Sequence, residues 1–342
     1  MSTRIPVTVL PGDGIGPEVM KSTIRVLEAV QAPFAWDVQR LGEIVEDETT
    51  NWEAELRVSY AARKSITNNK LALKGPTATP LGTGHRSLNV ELRKMFALYA
   101  NIRPVKTMPG VKTRFSDLPI DLVIFRENLE DFYIGEERGS QESATATSRM
   151  TWDGSARIAQ CAFEYAKKHK RRKVTVVHKA NILKKTHGLF LGAAKDVAGY
   201  YPGVECEDLI ADNFMMQMVR NPERFDCILA PNFLGDLISD LAAGLIGGLG
   251  FAPGANIGEQ VSVFEAVHGT APDIAGKGIA NPTAMILSGA MILEHTGYAD
   301  QAGRIRHAID AVLLEGRSVT GDVSRTNPVS TEVFTEAVVS MV

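Results

Sequence analysis

Two aspartates with the spacing of a helical metal site occur in the segment NFLGDLISDLAAGL, at Asp236 and Asp240. Residues i and i+4 of a helix share one face, so a helix here would project both carboxylates together. Two like charges repel each other unless a cation joins them, and all-oxygen ligation suits Mg²⁺ or Mn²⁺. The spacing also fits a second interpretation, in which Asp236 lies near a helix N-terminus and Asp240 is solvated.

A group of arginines could bind an anion that carries several carboxylates: Arg86, Arg93, Arg103 and Arg126. A guanidinium group binds a carboxylate through two parallel hydrogen bonds, so several such groups suit a di- or tricarboxylate. Sequence spacing alone does not bring them together, and four solvated surface arginines are the alternative. Ser87 precedes a helical pattern over 88–98 and is predicted to cap that helix.

Other candidate residues lie at the ends of apolar runs or in turns. Lys179 and Tyr133 lie at such ends, and strand ends in open parallel sheets are where ligands bind. A surface lysine and a half-buried tyrosine are the alternative. The segment HGTAPD at 268–273 precedes a stretch rich in glycine and proline, which predicts either a ligand loop or a plain turn.

The glycines of PGDGIGP, at 11–17, fit a dinucleotide-binding fingerprint poorly. Their spacing is GxGxG, Pro17 follows at once, and no acidic residue ends a clear second strand. A tight strand-to-helix turn is the stronger interpretation, with Pro17 at the first helical position and Glu18 favouring the helix N-terminus.

Composition argues against several classes of protein. The 342 residues carry 37 basic and 40 acidic side chains, and the net charge of 37 − 40 = −3 does not indicate nucleic acid or an anionic membrane as main partner. The basic run at 167–173 is interpreted as a solvated helix end. Three widely spaced cysteines are expected to be small buried hydrophobes, and the absence of a signal-like or membrane-spanning segment predicts a cytoplasmic protein.

Short apolar runs alternate with longer helical patterns along the chain. This order predicts an α/β fold with a mainly parallel sheet and helices on both faces. The polar stretch at 135–151 is expected to be an exposed strand pair or a partner contact. Strands are predicted at 5–10, 71–74, 120–125, 174–177 and 227–230, and helices at 155–168, 185–197, 234–245 and 331–339.

Eight motifs in register resemble the isocitrate/isopropylmalate dehydrogenase family over nearly the whole chain, and are most similar to its NAD-dependent isocitrate dehydrogenases. The resemblance implies the fold of these β-decarboxylating dehydrogenases, which is not a Rossmann fold. It also implies a large domain of 1–99 with 252–342, a small domain of 100–251 with a dimer clasp, and a homodimer whose chains share each active site. The motifs are LPGDGIGPEV, ALKGP, SLNVELRK, YANIRP, FRENLEDFY, VHKAN, APNFLGDLISD and HGTAPDIAGKGIANPTA.

The resemblance also implies which residues bind the substrate. Arg93, Arg103 and Arg126 resemble the arginines that hold the α- and β-carboxylates. Ser87 and Asn89 resemble the pair that contacts the γ-carboxylate of isocitrate, where isopropylmalate enzymes present other residues to an isopropyl group. A hydroxyl and an amide would be underpaired against that apolar group.

The implied chemistry requires a divalent metal and two proton-transfer residues. Asp236, Asp240 and Asp212, the last from the partner subunit, resemble the ligands of Mg²⁺ or Mn²⁺. Lys179, also from the partner, resembles the residue that takes the hydroxyl proton during hydride transfer. Tyr133 resembles the acid that reprotonates the enolate, for which its pKa is expected to be lowered by Lys179 or the metal.

The implied cofactor is NAD, bound at the loop HGTAPDI and beyond. Asp273 followed by Ile274 resembles the NAD-selective version, since a carboxylate accepts hydrogen bonds from ribose hydroxyls and repels a 2′-phosphate. His268 would lie beside the ribose and Asn281 beside the adenine. The full predicted set is His268, Gly269, Thr270, Ala271, Asp273, Ile274 and Asn281.

The predicted activity is therefore NAD-dependent oxidative decarboxylation of isocitrate to 2-oxoglutarate and CO₂. The same chemistry on homoisocitrate, 3-isopropylmalate, tartrate or another substituted malate is the first alternative. A regulatory, non-catalytic subunit is the second. No nucleic-acid or membrane partner is expected.

Overall fold

The computed structural model describes residues 4–45, 55–78 and 87–342, so Arg86 lies outside the described residues. None of the helices in these ranges is long and apolar enough to cross a bilayer. The strands are β1 (Ile5–Leu10), β2 (Phe34–Val38), β3 (Gly42–Val45), β4 (Glu55–Val58), β5 (Leu71–Lys74), β6 (Ala100–Lys106), β7 (Asp121–Glu127), β8 (Glu137–Gly139), β9 (Ala144–Ala146), β10 (Lys173–His178), β11 (Glu205–Ile210), β12 (Cys227–Ala230), β13 (Pro253–Ile257) and β14 (Ser262–Ala266).

Ten α-helices separate these strands in the described residues, with short 3₁₀ turns at three further places, of which Phe132–Ile134 carries Tyr133. The predicted helix over 88–98 ends earlier, at Met95, because Ala97 has a positive φ of 46° that breaks the helical path. The α-helices are α1 (Gly16–Ala29), α2 (Tyr60–Asn69), α3 (Leu88–Met95), α4 (Trp152–Lys168), α5 (Thr186–Ala198), α6 (Ala211–Arg220), α7 (Asn232–Leu245), α8 (Thr283–His295), α9 (Ala299–Glu315) and α10 (Thr331–Met341).

Ten strands form one sheet in the order β11-β10-β12-β7-β6-β13-β14-β5-β1-β2. Neighbouring strands are parallel on both sides of a central antiparallel stretch, in which β13 pairs with β14 and β6, and β6 pairs with β7. The prediction of a mainly parallel sheet is confirmed. One half of the sheet comes from 100–230 and the other from segments before and after it, while the predicted division into two domains stays a prediction.

Helices cover both faces of the sheet, as predicted. The largest core cluster lies between the sheet and the helices α1, α6, α7, α8, α9 and α10, and α8 is buried over nearly its whole length. Apolar residues from α4 and α5 form a second cluster against β7, β10 and β12. Burial of this many apolar side chains, each worth about 1.5–3 kcal/mol, holds the strand ends in fixed positions.

The polar stretch at 135–151 contains an antiparallel hairpin of β8 and β9, whose residues are all exposed. The strand-pair alternative is confirmed, and the partner contact stays a prediction. All three cysteines are free. Cys227 is buried and Cys161 is half-buried, but the expectation of a buried side chain is wrong for Cys206, because it lies on the edge strand β11.

Candidate active site

A polar cavity of about 220 Å³ opens where several strands end. Lys74 ends β5, Ala266 ends β14 and Arg126 is the last residue but one of β7, and all three line the cavity. Strand β6 runs antiparallel to β7, so Asn101 near its start lies opposite Arg126 and Arg103 follows two residues later. The three described arginines of the predicted group therefore converge, and the alternative of solvated surface arginines is wrong for them.

Arg126 is almost completely buried and is held on several sides. Its Nη1 donates to Asp236 Oδ1, and its Nε and Nη2 donate to Asn232 Oδ1 at 3.0 and 2.7 Å. Its guanidinium carbon lies 5.0 Å from the centre of the Tyr133 ring, a cation–π contact. A side chain at Gly235 would clash with Arg126, since a Cβ there would lie 2.6 Å from Arg126 Cγ, so the glycine lets α7 pack on the arginine.

Arg103 lies beside both aspartates of α7. Its Nη1 donates to Ser239 Oγ and lies 3.9 Å from Asp236 Oδ1 and 3.6 Å from Asp240 Oδ1. Burial, and then the like charge of Arg126, lower the pKa of Arg103 to about 10, which still leaves the guanidinium charged at neutral pH. A cavity with two clustered buried cations is suited to an anionic ligand.

The floor of the cavity is a buried ion pair that the sequence did not suggest. Lys74 Nζ donates to Glu265 Oε2 at 2.6 Å, and Asn256 Nδ2 donates to Glu265 Oε1 at 2.7 Å. Arg93 Nη2 lies 3.6 Å from Glu265 Oε1. Burial favours the neutral acid, but Lys74 and Arg93 outweigh it and lower the pKa of Glu265 to about 2.

Ser87 and Asn89 line the same cavity, as the resemblance implies. Ser87 occupies the N-cap position of α3, but its side chain makes no capping hydrogen bond, so the predicted cap is wrong in that respect. Thr77 Oγ1 donates to Asn89 Oδ1 at 2.9 Å. This bond uses the amide oxygen of Asn89, so its Nδ2 is the group left to donate toward a carboxylate.

Tyr133 also lines the cavity, and its hydroxyl donates to Asp236 Oδ2 at 2.5 Å. Burial and then this hydrogen bond raise the pKa of Tyr133, although Arg126 acts in the opposite direction. The expectation of a lowered pKa is therefore not met within one chain, because the nearest acceptor is a carboxylate and Lys179 lies elsewhere. The phenol is protonated at neutral pH, which is the form that a general acid needs.

Asp236 and Asp240 both face Arg103 from α7, so the predicted shared helix face is confirmed. Burial of Asp236 favours its neutral form, but Arg126, the Tyr133 hydroxyl and Arg103 together lower its pKa. Burial raises the pKa of Asp240, against the effect of Arg103. The two carboxylates are 37% and 59% exposed, so their oxygens are accessible to a ligand.

Lys179 and Asp212 are brought together at a different place. Lys179 follows β10, Asp212 lies in the first turn of α6, and Lys179 Nζ donates to Asp212 Oδ1 at 2.7 Å. Their side chains are 31% and 72% exposed, and neither lines the polar cavity. Lys179 lowers the pKa of Asp212 through this bond. Within one chain, this pair therefore lies apart from the arginines and Tyr133 of the polar cavity.

The donor set fits a divalent cation only in part within one chain. Carboxylate oxygens are the ligands that Mg²⁺ and Mn²⁺ prefer, and Asp236 and Asp240 present theirs on one accessible face. Over the residues that the structure describes, no three acidic, histidine or cysteine side chains of one chain meet in a metal-binding group. A third ligand at Asp212 would have to come from a second chain, as the resemblance implies.

A second cavity of about 520 Å³ adjoins the first, and His268 lines both. Its Nδ1 contacts Gly269 O at 3.0 Å, whereas its buried Nε2 has no hydrogen-bond partner in the described part of the chain. Burial lowers the pKa of His268, so the ring is neutral at neutral pH. An unpartnered ring nitrogen between two cavities fits a polar ligand that extends from one to the other, as a dinucleotide would.

The other predicted cofactor residues are only partly gathered there. Ile274 and Asn281 line the second cavity, but Asn281 Nδ2 already donates to Asp322 Oδ2 at 2.9 Å. Asp273 is exposed and does not line this cavity. Gly269 lines the first cavity. Thr270 and Ala271 follow it in the loop and line neither cavity. The Thr270 carbonyl accepts a hydrogen bond from Ile15 N at 2.9 Å.

The glycine-rich turn after β1 supports this loop. Gly14 has a φ of +60°, and a Cβ there would lie 2.0 Å from the Thr270 carbonyl oxygen. The turn leads directly into α1, which begins at Gly16 and has Pro17 as its second residue. The interpretation as a tight strand-to-helix turn is confirmed, and Gly14 permits close packing against the 268–273 loop.

Sequence reasoning missed several residues that build these cavities. Lys74 and Glu265 are each isolated polar residues at a strand end, and 191 positions separate them in the chain. Asn232 and Asp322 act through partners that only the fold supplies. The position of Lys74 at the end of a fully buried strand is the signal that could have found it, since polar strand-end residues often face ligands.

Comparison with known proteins agrees with the geometry. The sequence profile described as "Isocitrate/isopropylmalate dehydrogenase" matches residues 6–338. A mitochondrial NAD isocitrate dehydrogenase catalytic subunit 5 of Arabidopsis thaliana is 45% identical, covering 98% of this chain and 88% of the relative. A regulatory chain of the mitochondrial NAD isocitrate dehydrogenase of Dictyostelium discoideum is 48% identical, covering 93% of this chain and 86% of the relative.

A crystal structure of isocitrate dehydrogenase from Methylococcus capsulatus superimposes with a TM-score of 0.91 at 47% identity and covers 98% of both chains. The fold is therefore the one that the β-decarboxylating dehydrogenases share. The chain belongs to the isocitrate/isopropylmalate dehydrogenase family. Its members bind small carboxylate substrates and use a divalent metal with a nicotinamide cofactor.

Proposed function

We propose that this chain catalyses the NAD-dependent oxidative decarboxylation of isocitrate to 2-oxoglutarate and CO₂, with Mg²⁺ or Mn²⁺. The substrate assignment depends on one observation, namely that Ser87 and Asn89 form a polar corner of the arginine-lined cavity. Isocitrate has a third carboxylate where isopropylmalate has an isopropyl group. The Asn89 amide, held at its oxygen by Thr77, can donate to that carboxylate but would lose its partner against an apolar group.

The chain's own residues then have distinct tasks. Arg103 and Arg126, supported by Arg93, bind the carboxylates and orient the substrate. Lys179 of the partner subunit, in its neutral form, takes the proton of the substrate hydroxyl as that carbon is oxidised, and a bound nicotinamide would accept the hydride. Tyr133 donates a proton to the carbon that has lost CO₂.

A divalent cation, held by Asp236 and Asp240 with Asp212 of the partner subunit, would supply Lewis-acid chemistry at the substrate hydroxyl and carboxylate. The accessible carboxylates of α7 support this set. NAD would occupy the second cavity, with His268 between the two sites. The preference for NAD over NADP is proposed from Asp273 and Ile274, whose roles are those that the resemblance implies.

A homodimer is part of the proposal, because the separated Lys179–Asp212 pair needs a second chain to reach a cavity. Helices α6 and α7 expose large apolar side chains close in sequence to the proposed shared residues. Exposed apolar side chains of this size favour contact with another protein surface. The exposed side chains are Met216, Val219, Phe233 and Leu237, which are 43%, 46%, 42% and 49% accessible.

The experiment is a panel of initial rates for the purified single chain with Mn²⁺, using isocitrate, homoisocitrate, 3-isopropylmalate and tartrate with either NAD or NADP. The proposal expects isocitrate with NAD to give the highest kcat/KM. Activity on 3-isopropylmalate with none on isocitrate would refute the substrate. No reduced nicotinamide from any acid would support the alternative of a regulatory subunit.

A double variant tests the polar corner in the same assay. Ser87→Leu with Asn89→Leu should lower kcat/KM for isocitrate by more than that for malate, which lacks the third carboxylate. Equal losses on both acids would mean that these side chains do not contact the third carboxylate.

A further inference from the structure

Asn232 is a fully buried amide at the first residue of α7 that connects Arg126 to the turn before Tyr133. Its Oδ1 accepts from both Nε and Nη2 of Arg126, at 3.0 and 2.7 Å. Its Nδ2 donates to the Glu130 carbonyl at 3.1 Å. The turn that contains Glu130 leads into the 3₁₀ turn that carries Tyr133.

These contacts determine which edge of Arg126 faces a ligand. A guanidinium has five N–H donors in a rigid plane. Asn232 accepts along the edge formed by Nε and Nη2, and Asp236 accepts from Nη1. These two partners leave one N–H on Nη1 and one on Nη2, and rotation of the guanidinium would remove a buried hydrogen bond.

We propose that Asn232 is a positioning residue, which fixes the guanidinium of Arg126 so that its remaining N–H groups bind a substrate carboxylate. The role rests on the proposed function, since Arg126 binds the carboxylate that isocitrate shares with other substituted malates. Asn232 lines neither cavity and therefore acts through Arg126 rather than by touching the substrate.

The first test is a double-mutant cycle on substrate affinity. Asn232→Ala should weaken the binding of isocitrate, measured by calorimetry with Mg²⁺, by about tenfold to a hundredfold, as expected when a bond to a charged group is lost. KM should rise more than kcat falls. In an Arg126→Lys background, Asn232→Ala should reduce the affinity for isocitrate little further, because the arginine that Asn232 positions is already absent. Additive losses in the double variant would overturn the proposal.

One control variant and one substitute variant distinguish an effect on the position of Arg126 from an effect on folding. Thr335→Val removes a buried hydrogen bond on the remote helix α10, where Thr335 Oγ1 donates to the Thr331 carbonyl at 2.7 Å, and should lower stability without changing affinity. Asn232→Ser, which keeps a small polar side chain, replaces the alanine variant if that one does not fold.

The second test does not depend on the substrate. A crystal structure of Asn232→Ala or Asn232→Ser should show the Arg126 guanidinium rotated or displaced relative to Asp236. An unchanged guanidinium would overturn the proposal. If the wild type binds neither isocitrate nor 3-isopropylmalate, the proposed function fails. The orientation of Arg126 in the crystal structure of the Asn232 variant still decides the role of Asn232.

Discussion

Two lysine–carboxylate ion pairs of nearly equal length have opposite surroundings in this molecule. Lys74 and Glu265 are 2.6 Å apart and only 2% and 12% exposed, whereas Lys179 and Asp212 are 2.7 Å apart and 31% and 72% exposed. The buried pair is tied to further polar groups and forms the floor of the cavity.

Distance alone therefore does not determine what an ion pair does. A buried pair is costly to break, because the remaining charge has no water to solvate it. An exposed pair contributes little, because water competes with it and salt screens it. The second pair can exchange partners at low cost, which the proton-transfer role proposed for Lys179 requires.

The largest effect should come from the exposed pair. Lys179→Met is expected to reduce kcat by about 10²–10⁴-fold, the usual contribution of a general base, with the thermal midpoint of unfolding and the affinity for NAD unchanged. Steady-state kinetics and calorimetry measure the two quantities. Retained turnover would reject Lys179 as the base, and a lowered midpoint would mean that the exposed pair is structural.

Mixing two inactive variants tests whether the exposed pair completes a neighbouring chain's cavity. Lys179→Met and Tyr133→Phe proteins, unfolded and refolded together, should regain about a quarter of wild-type activity if sites are shared. Half of the dimers would then be mixed, and each would have one intact site. Each variant refolded alone is the control, and no recovery above these controls would contradict a shared site.

The buried pair should dominate stability. Glu265→Gln is expected to lower the free energy of unfolding by about 3–5 kcal/mol in urea titrations, because Lys74 is left as an unpaired buried charge. Asp212→Asn is the matched control on the exposed pair and should leave the urea midpoint unchanged. Similar losses in both variants would remove the distinction between the two pairs.

The pH dependence of stability should follow the buried pair as well. The pKa of Glu265 is depressed from 4.5 to about 2, so the unfolded state binds its proton at a higher pH than the folded state does. Its contribution is therefore complete above about pH 4.5 and is lost as the pH falls toward about 2. Glu265→Gln should flatten this part of the wild-type stability curve, and an equally steep fall in the variant would contradict the assignment.

Local sequence patterns predicted the parts of the site that depend on one element. The i, i+4 spacing placed Asp236 and Asp240 on one face of α7, and apolar runs located β5 and β12 at their observed bounds. The same local view was wrong about the Ser87 cap, because the helix begins there without using that side chain. The lowered pKa expected for Tyr133 depends on Lys179 of the partner subunit or on a metal and stays a prediction, whereas burial and Asp236 raise this pKa within one chain.

Periodicity and motifs were enough to predict the alternation of strands and helices with several of its elements, the family resemblance and the residue types available for chemistry, since these are local properties of the chain. Three features follow from packing in three dimensions instead: Lys74 contacts Glu265, Asn232 accepts hydrogen bonds from Arg126, and the Lys179–Asp212 pair lies apart from the cavity. These outcomes depend on sheet order, on antiparallel pairing at β6 and on the position of α7 over β7. Contacts between segments far apart in the chain carry no local signal, because packing selects them only after the elements exist.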